Sequence, residues 1–189
     1  AALEDGLVSI EDIVDTKDGT VKYYDRVMRD SKEGGHGKIS VERAFELSSN
    51  VGISQVITQA YEKDPQKLVK RLKMMGLGGM LNIEIPGEAK PRIKNVEDKD
   101  WTGVTLPWMS IGYEVLQTPL QTLTFYNAVA NNGTYIKPHF VKEIRANGML
   151  VKSFETTVIN QKICSIETIN KAKEMMEGVV IEGTATNLK

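Results

Sequence analysis

Residues 39–52 read Ile39-Ser40-Val41-Glu42-Arg43-Ala44-Phe45-Glu46-Leu47-Ser48-Ser49-Asn50-Val51-Gly52, and this stretch decides the fold. Ser40 is a favourable N-cap residue, and the apolar residues that follow it recur at the spacing of one helix face. The same spacing resumes beyond the three polar residues, at Val51, Val56, Ile57, Ala60 and Tyr61. The sequence therefore predicts two helical stretches that flank a polar Ser-Ser-Asn corner.

Three further helices are predicted from their start signals. Asp64-Pro65 and Thr118-Pro119-Leu120-Gln121 each place proline at the first helical position after a capping residue, and the second also forms a capping box. Ser165 precedes the third helix, whose apolar face carries Ile166, Ile169, Met175, Met176, Val179 and Val180.

The remaining segments predict turns and short strands. Residues 7–39 are rich in turn residues and predict short strands at most, while residues 76–117 are broken by glycines and three prolines and predict a long loop. Apolar and polar residues alternate on both sides of Asn147-Gly148, which predicts a β-hairpin. The fold class is therefore α+β, with helices predominant.

Composition excludes several classes of function. With 24 basic and 25 acidic side chains, the chain lacks the positive charge that nucleic-acid binding requires. Cys164 is the single cysteine, and it forms no zinc-ligand spacing with His36 or His139. No phosphate-binding or dinucleotide motif occurs, so no metal or cofactor is predicted. No run of apolar residues approaches the ~20 that span a membrane.

One polar group remains as a candidate site, the corner Ser48-Ser49-Asn50. In one interpretation its side chains simply cap the exposed backbone donors of a helix-to-helix corner. In the other, Ser48 and Asn50 project a hydroxyl and a carboxamide into a cleft, where they relay a proton and hold a substrate amide. Spacing alone leaves both interpretations open.

The wider sequence resembles the transpeptidase domain of class B penicillin-binding proteins. The segment that contains Ser48-Ser49-Asn50 looks like the one that carries the family's Ser-x-Asn signature. Three other blocks follow in the family's order: Leu81 to Glu88, Ser110 to Glu114 with Thr118 to Gln121 and Ala128 to Gly133, and Gly178 to Ala185. The block around Tyr113 and Glu114 is most similar to the division-type members.

Two signatures of this family are missing from the 189 residues. No serine is followed three positions later by lysine, and Lys-Thr-Gly does not occur. The resemblance therefore implies that residues 1–189 are an internal fragment of one transpeptidase domain, lying between Ser-x-x-Lys and Lys-Thr-Gly. It implies a partial fold of the serine β-lactamase-like kind that lacks the main strands of its central sheet. Without the nucleophilic serine, the fragment alone is expected to be inactive.

The resemblance also implies the chemistry of the parent protein. A family member cross-links peptidoglycan stem peptides through an acyl-enzyme, and β-lactams acylate the same serine. By this likeness, Ser48 would transfer a proton to the leaving amine, and Asn50 would bind the substrate or β-lactam amide and orient the lysine of Ser-x-x-Lys. Ser49 matches the variable position of the signature and is assigned no role. A family member is anchored by an N-terminal helix at the outer face of the bacterial cytoplasmic membrane.

Two other functions remain as alternatives. The chain could be a non-catalytic protein-interaction domain that keeps the transpeptidase fold, or a helical module in which the Ser-Ser-Asn corner is only a cap. Self-association is also expected, because the loss of flanking strands would expose Met175, Met176, Val179 and Val180 on the last helix.

Overall fold

A computed structural model describes all 189 residues of the chain. The helices are α1 (Val41–Glu46), α2 (Asn50–Tyr61), α3 (Pro65–Met74), α4 (Thr105–Met109), α5 (Pro119–Ala130) and α6 (Ile166–Ile181), and a 3-10 turn spans Thr186–Leu188. The strands are β1 (Ile13–Asp15), β2 (Thr20–Tyr23), β3 (Arg26–Arg29), β4 (Lys38–Ser40), β5 (Arg92–Ile93), β6 (Val115–Leu116), β7 (Tyr135–Ile136), β8 (Glu143–Ala146), β9 (Met149–Ser153) and β10 (Val158–Asn160). Helical residues make up 34% and strands 17%, so helices predominate as predicted.

The strands form five separate antiparallel pairs, and no sheet has more than two strands. β1 pairs with β4, β2 with β3, β5 with β6, β7 with β10, and β8 with β9. The short strands expected within residues 7–39 are confirmed as the first two of these pairs. Because two-stranded sheets bury little apolar surface, helices supply most of the core.

Most of the predicted helix starts are confirmed by their hydrogen bonds. The Arg43 backbone N–H donates to Ser40 Oγ at 3.0 Å, and that of Thr168 donates to Ser165 Oγ at 3.2 Å. The capping box of α5 is complete, with Thr118 and Gln121 bonded reciprocally. Asp64 and Pro65 occupy the predicted N-cap and first helical positions of α3. The Asp64 side chain makes no capping hydrogen bond, so this start depends on the fixed backbone angle of Pro65.

The prediction of a long loop over residues 76–117 is also wrong in part. This segment contains α4 and the paired strands β5 and β6. Pro107 lies in the first turn of α4, where a helix needs no backbone N–H, so the proline does not prevent the helix. The Thr102 backbone N–H also donates to Thr105 Oγ1 at 2.9 Å, which supports the start of α4.

Two apolar clusters form the core. The first joins α5, α6 and β7, and its members are Met75, Leu81, Ala128, Val129, Tyr135, Ile163, Cys164 and Ile169. The second joins α2, α3 and α4 with the first residues of the chain, and its members are Ala2, Tyr61, Leu68, Val69, Ile93, Leu106 and Met109. Burial within both clusters accounts for the positions of the four long helices α2, α3, α5 and α6.

The face of α6 is less exposed than the sequence analysis expected. Met175 is buried in the chain's own interior at 7% exposure, and Met176, Val179 and Val180 are half-buried. α5 and α1 both pack against α6, so the chain itself covers Met175 and part of the surface of the other three residues. α6 is the longest helix, at 16 residues, and no helix has the length and apolar character needed to cross a bilayer.

α6 also packs closely against the end of α1 at two glycines. A Cβ added at Gly178 would overlap the Glu46 carboxylate, and one added at Gly183 would overlap the Glu46 carbonyl oxygen. The Thr184 backbone N–H donates to the Glu46 carbonyl at 3.2 Å. This end of α6 is therefore in direct backbone contact with the residues just before the Ser-Ser-Asn corner.

The first residues of the chain are held to α2 and α3 by a buried carboxylate. Asp5 has a side chain 1% exposed and accepts hydrogen bonds from the Tyr61 hydroxyl at 2.7 Å and from Arg71 Nε at 2.8 Å. Burial opposes ionisation of this carboxyl, but the bonds from Tyr61 and Arg71 outweigh it and hold its pKa below the ordinary value of 3.8. The ionised form of Asp5 therefore stabilises the folded state.

We predict that Asp5→Asn lowers the free energy of unfolding by about 2–4 kcal/mol at pH 7, because it leaves Arg71 without its charged partner. The pKa of Asp5 is lower in the folded chain, so its contribution is complete above the unfolded pKa and is lost as pH falls through the folded pKa. Urea denaturation at pH 7 and below pH 4 should show the difference between wild type and variant shrinking in acid.

The matched control is Glu167→Gln, which removes an exposed ion pair with Lys171 and should cost less than about 0.5 kcal/mol. Equal losses for the two variants, or a difference that does not change with pH, would contradict the assignment of Asp5.

Candidate active site

The Ser48-Ser49-Asn50 corner is the junction between α1 and α2. Ser48 has a left-handed backbone with φ +52°, which turns the chain sharply after α1. Ser49 is the N-cap of α2, and Asn50 is its first residue. Because of this sharp turn, the side chains of Ser48, Ser49 and Asn50 lie in different environments.

Ser49 is the structural residue of the corner. It is 1% exposed, and its Oγ accepts the Gly52 backbone N–H at 2.9 Å while donating to Asp30 Oδ2 at 2.9 Å. Asp30 also accepts the Val51 backbone N–H at 2.9 Å. A carboxylate here also interacts favourably with the positive end of the helix dipole. The interpretation of the corner as a helix cap is therefore confirmed for Ser49, which the sequence analysis had assigned no role.

Ser48 and Asn50 differ from Ser49 in accessibility. The Ser48 side chain is exposed, and its Oγ lies 3.1 Å from Thr184 Oγ1. Asn50 is partly exposed, and its Nδ2 donates to the Arg29 carbonyl at 3.0 Å. No group of the chain donates to Asn50 Oδ1, which leaves the amide oxygen available as an acceptor.

Both residues line the same cleft, of about 530 Å³. The rest of its wall is mainly apolar and comes from α1, α2, α5 and α6 through Phe45, Ile53, Tyr126, Met176 and Val179. Ser110, Ile111 and Gly112, which belong to one of the blocks that carry the family resemblance, line it as well. The structure therefore brings residues from two of the other blocks, Ser110 to Gly112 and Val179, to the cleft beside Ser48 and Asn50.

The segment 110–114 is held in place by an ion pair that the sequence analysis did not identify. Lys94 Nζ lies 2.8 Å from Glu114 Oε2 and 3.2 Å from Asp100 Oδ2, and Lys94 is only 8% exposed. Its hydrogen bond to Glu114 raises the pKa of Lys94 and keeps it charged. This ion pair holds strands β5 and β6 together, and it thereby positions the segment 110–114 that lines the cleft.

The block Leu81 to Glu88 is positioned by a similar buried contact. Gln121 is 1% exposed and donates to Glu88 Oε1 at 2.8 Å. The Glu88 carboxylate also accepts the backbone N–H groups of Leu81 and Asn82, at 2.7 and 2.8 Å. Burial opposes ionisation of Glu88, yet these hydrogen bonds lower its pKa. One side chain of α5 thus holds this loop against the helix.

The chemistry that this cleft can perform is limited by its side chains. Apart from the phenol of Tyr126, none of the side chains that line it is ionisable, so it offers hydroxyl and amide groups but no strong base. No group of three or more His, Cys, Asp or Glu residues is arranged to hold a metal ion. The cleft can therefore bind and orient an amide and pass a proton, but activating a nucleophile needs another group.

We predict that Ser49→Ala destabilises the protein by about 1–3 kcal/mol, since it removes the cap of α2 and a buried hydrogen bond to Asp30. Ser48→Ala is the matched control next to it and should change stability by no more than about 0.5 kcal/mol, because Ser48 is exposed. Urea denaturation of both variants measures this. Equal destabilisation by the two substitutions would contradict the division of roles within the corner.

Comparisons with known proteins agree with the resemblance. The profile of the penicillin-binding protein transpeptidase domain matches residues 1–189. Over 181 residues, the chain is 26% identical to the penicillin-binding protein PbpB of Mycolicibacterium smegmatis, covering 95% of this chain and 27% of that protein. It is 25% identical over 191 residues to the peptidoglycan D,D-transpeptidase FtsI of Buchnera aphidicola, covering 100% and 31%. The chain thus spans about a quarter to a third of the length of these relatives.

A solved structure extends this likeness to the fold. The chain matches penicillin-binding protein 3 of Mycobacterium tuberculosis in complex with ampicillin, with a TM-score of 0.77 at 25% identity, over 95% of this chain and 38% of that one. The profile match covers every element described above, including the corner and the three other blocks that carry the resemblance. The chain therefore belongs to the penicillin-binding protein transpeptidase domain family, and its relatives are class B members.

Proposed function

We propose that this chain is the part of a peptidoglycan D,D-transpeptidase domain that supplies the Ser-x-Asn signature to the active site. One observation carries the proposal. Ser48, Ser49 and Asn50 all border a single cleft, but Ser49 is only 1% exposed and its hydroxyl is bonded to Asp30 and to the Gly52 backbone. Ser48 and Asn50 therefore supply the hydroxyl and the carboxamide that a ligand in the cleft can reach, and these groups can transfer a proton to an amine and bind an amide.

Ser48 is proposed to carry the proton. A hydroxyl can donate one hydrogen bond and accept another at the same time, so it can receive a proton from a neighbouring group and pass it to the amine that leaves. Its exposure and its position beyond the end of α1 leave it accessible from the cleft. Its contact with Thr184 restricts the rotation of the hydroxyl. Proton transfer of this kind is general acid–base catalysis.

Asn50 is proposed to bind the substrate amide. Its Nδ2 already donates to the Arg29 carbonyl. This bond holds the nitrogen end of the carboxamide toward β3, so Oδ1 faces away from β3. The free Oδ1 can accept the N–H of a peptide or of a β-lactam side chain. In the complete enzyme the same carboxamide would help orient the lysine of Ser-x-x-Lys, a role supported by the family resemblance.

The proposed partners are peptidoglycan stem peptides as substrate and β-lactams as inhibitors. The ampicillin complex of the M. tuberculosis relative supports the second of these. The mixed lining of the cleft suits both ligands, because each combines an amide with apolar groups. The parent protein is proposed to act in cell division, anchored at the outer face of the bacterial cytoplasmic membrane. Its relatives include peptidoglycan D,D-transpeptidases named FtsI.

The nucleophile must come from outside residues 1–189, because no Ser-x-x-Lys occurs within them. We therefore infer that these residues lie between the two missing signatures of one transpeptidase domain, and that the main strands of its central sheet also lie outside them. Two-stranded pairs are the largest sheets present here, which supports this inference. On these grounds residues 1–189 alone are inactive.

We predict that residues 1–189 will not be labelled covalently by a fluorescent penicillin, because an acyl-enzyme cannot form without its serine nucleophile. Intact-mass spectrometry after incubation should detect only the unmodified chain. A longer polypeptide that also contains Ser-x-x-Lys and Lys-Thr-Gly serves as the positive control and should be labelled. A stoichiometric adduct on the short chain would refute the proposed location of the nucleophile.

In that longer polypeptide, Ser48→Ala should slow acylation by β-lactam about a hundredfold or more, since a positioned proton-transfer group is worth about 10²- to 10⁴-fold. Ser49→Ala is the control and should change the rate far less at temperatures where the protein stays folded. Stopped-flow acylation rates that fell equally for both variants would contradict the role of Ser48. If the longer wild-type polypeptide itself is not labelled, the alternative of an interaction domain without transpeptidase chemistry is favoured instead.

A further inference from the structure

The hairpin of β8 and β9 extends away from the rest of the molecule. Every residue from 139 to 153 is exposed, and neither strand pairs with any strand but the other. Asn147 and Gly148 both have positive φ, at +50° and +81°, as a two-residue turn of this kind requires. The predicted hairpin is therefore confirmed, but it covers no part of the core.

The exposed surface of this hairpin is unusually apolar. Ile144, Met149, Leu150 and Val151 are 45%, 71%, 56% and 62% exposed. A single two-stranded hairpin is marginally stable in water unless something packs on it or extends it. The outer edge of each strand also presents unpaired backbone groups, which is a template for pairing with another strand.

The edge of β8 has a defined pattern of free backbone groups. The Phe154 N–H donates to the Lys142 carbonyl at 2.9 Å, so the backbone groups of Lys142 face β9. In an antiparallel ladder this orientation alternates along the strand. The register of this pair shifts between Ile144 and Arg145, where β9 carries one extra residue, Val151, and β8 carries none. Along β8 the alternation continues, so Ile144 and Ala146 also face β9, and the free N–H and C=O groups at the outer edge belong to Glu143 and Arg145.

This pattern is complementary to itself. If two copies pair antiparallel about a two-fold axis at Ile144, Glu143 lies opposite the partner's Arg145, and Arg145 lies opposite the partner's Glu143. Glu143 and Arg145 thus carry both the free backbone groups that meet across the edge and the side chains of opposite charge. If the register shifted by one residue, both Glu143–Arg145 pairs would be lost. Residues brought opposite each other would then include ones whose backbone groups already bond to β9.

We propose that the β8 edge is a self-association surface, on which a second copy of this chain pairs antiparallel to form a four-stranded sheet in the order β9-β8-β8-β9. The Glu143–Arg145 pairs set its register, and the two copies of Ile144 lie side by side at its centre. We favour this surface over the face of α6, because the chain itself buries Met175 and half-buries Met176, Val179 and Val180. Edge pairing buries a small area, so the dimer is weak and depends on concentration.

Charge-reversal variants test the register directly. Sedimentation velocity of the 189-residue chain over a wide concentration range should show a monomer–dimer equilibrium. Glu143→Arg places two pairs of like charges across the edge, and so does Arg145→Glu, so each variant alone should associate about tenfold more weakly or not at all. An equimolar mixture of the two variants restores opposite charges at every position and should form the heterodimer.

The mixture distinguishes two causes of weak association, a lost contact between chains and damage to the hairpin itself. Each variant carries the same altered hairpin alone and in the mixture, so damage would weaken association in both cases. Lys152→Glu is the matched control. It makes the same change in net charge as Arg145→Glu, but on β9 and away from the β8 edge, and should associate like the wild type. The proposal is overturned if the wild type stays monomeric throughout, if the single variants dimerise as well as the wild type, or if the mixture associates no better than its components.

Discussion

The arrangement of the candidate site depends on the carboxylate of Asp30. This group lies beyond the end of β3, where it receives the Ser49 hydroxyl and the Val51 backbone N–H. It therefore joins a hairpin from the first quarter of the chain to the first turn of α2. Asp30 thereby holds the Ser49 hydroxyl in the interior, while the side chains of Ser48 and Asn50 on either side stay accessible from the cleft.

Local sequence signals predicted the elements whose hydrogen bonds close within a few residues. The capping residues Ser40, Thr118 and Ser165 and the turn Asn147-Gly148 were all predicted correctly, since each depends on near neighbours alone. Elements that depend on distant partners were missed. Strands β5 and β6 pair across more than 20 residues, and the short helix α4 is stabilised by burial of Leu106 and Met109 in a shared core. Neither property is visible in a local window.

The candidate site shows the same division. Ser48 and Asn50 were identified because a signature places them two positions apart, and the structure brings both to one cleft. The groups that hold them were not identified. Asp30 is about 20 residues from Ser49, and Thr184 is separated from Ser48 by 136 positions. No local sequence signal marks Lys94, and only the fold brings Glu114 and Asp100 to it.

The close contact at Gly178 and Gly183 has a mechanical consequence. A Cβ at Gly178 would overlap the Glu46 carboxylate, and one at Gly183, just after α6, would overlap the Glu46 carbonyl oxygen. Ser48 follows Glu46 by two residues, and its hydroxyl contacts Thr184 directly after Gly183. A larger residue at Gly183 would therefore push the chain after α6 away from Ser48. The shape of the cleft on this side thus depends on a residue that has no side chain.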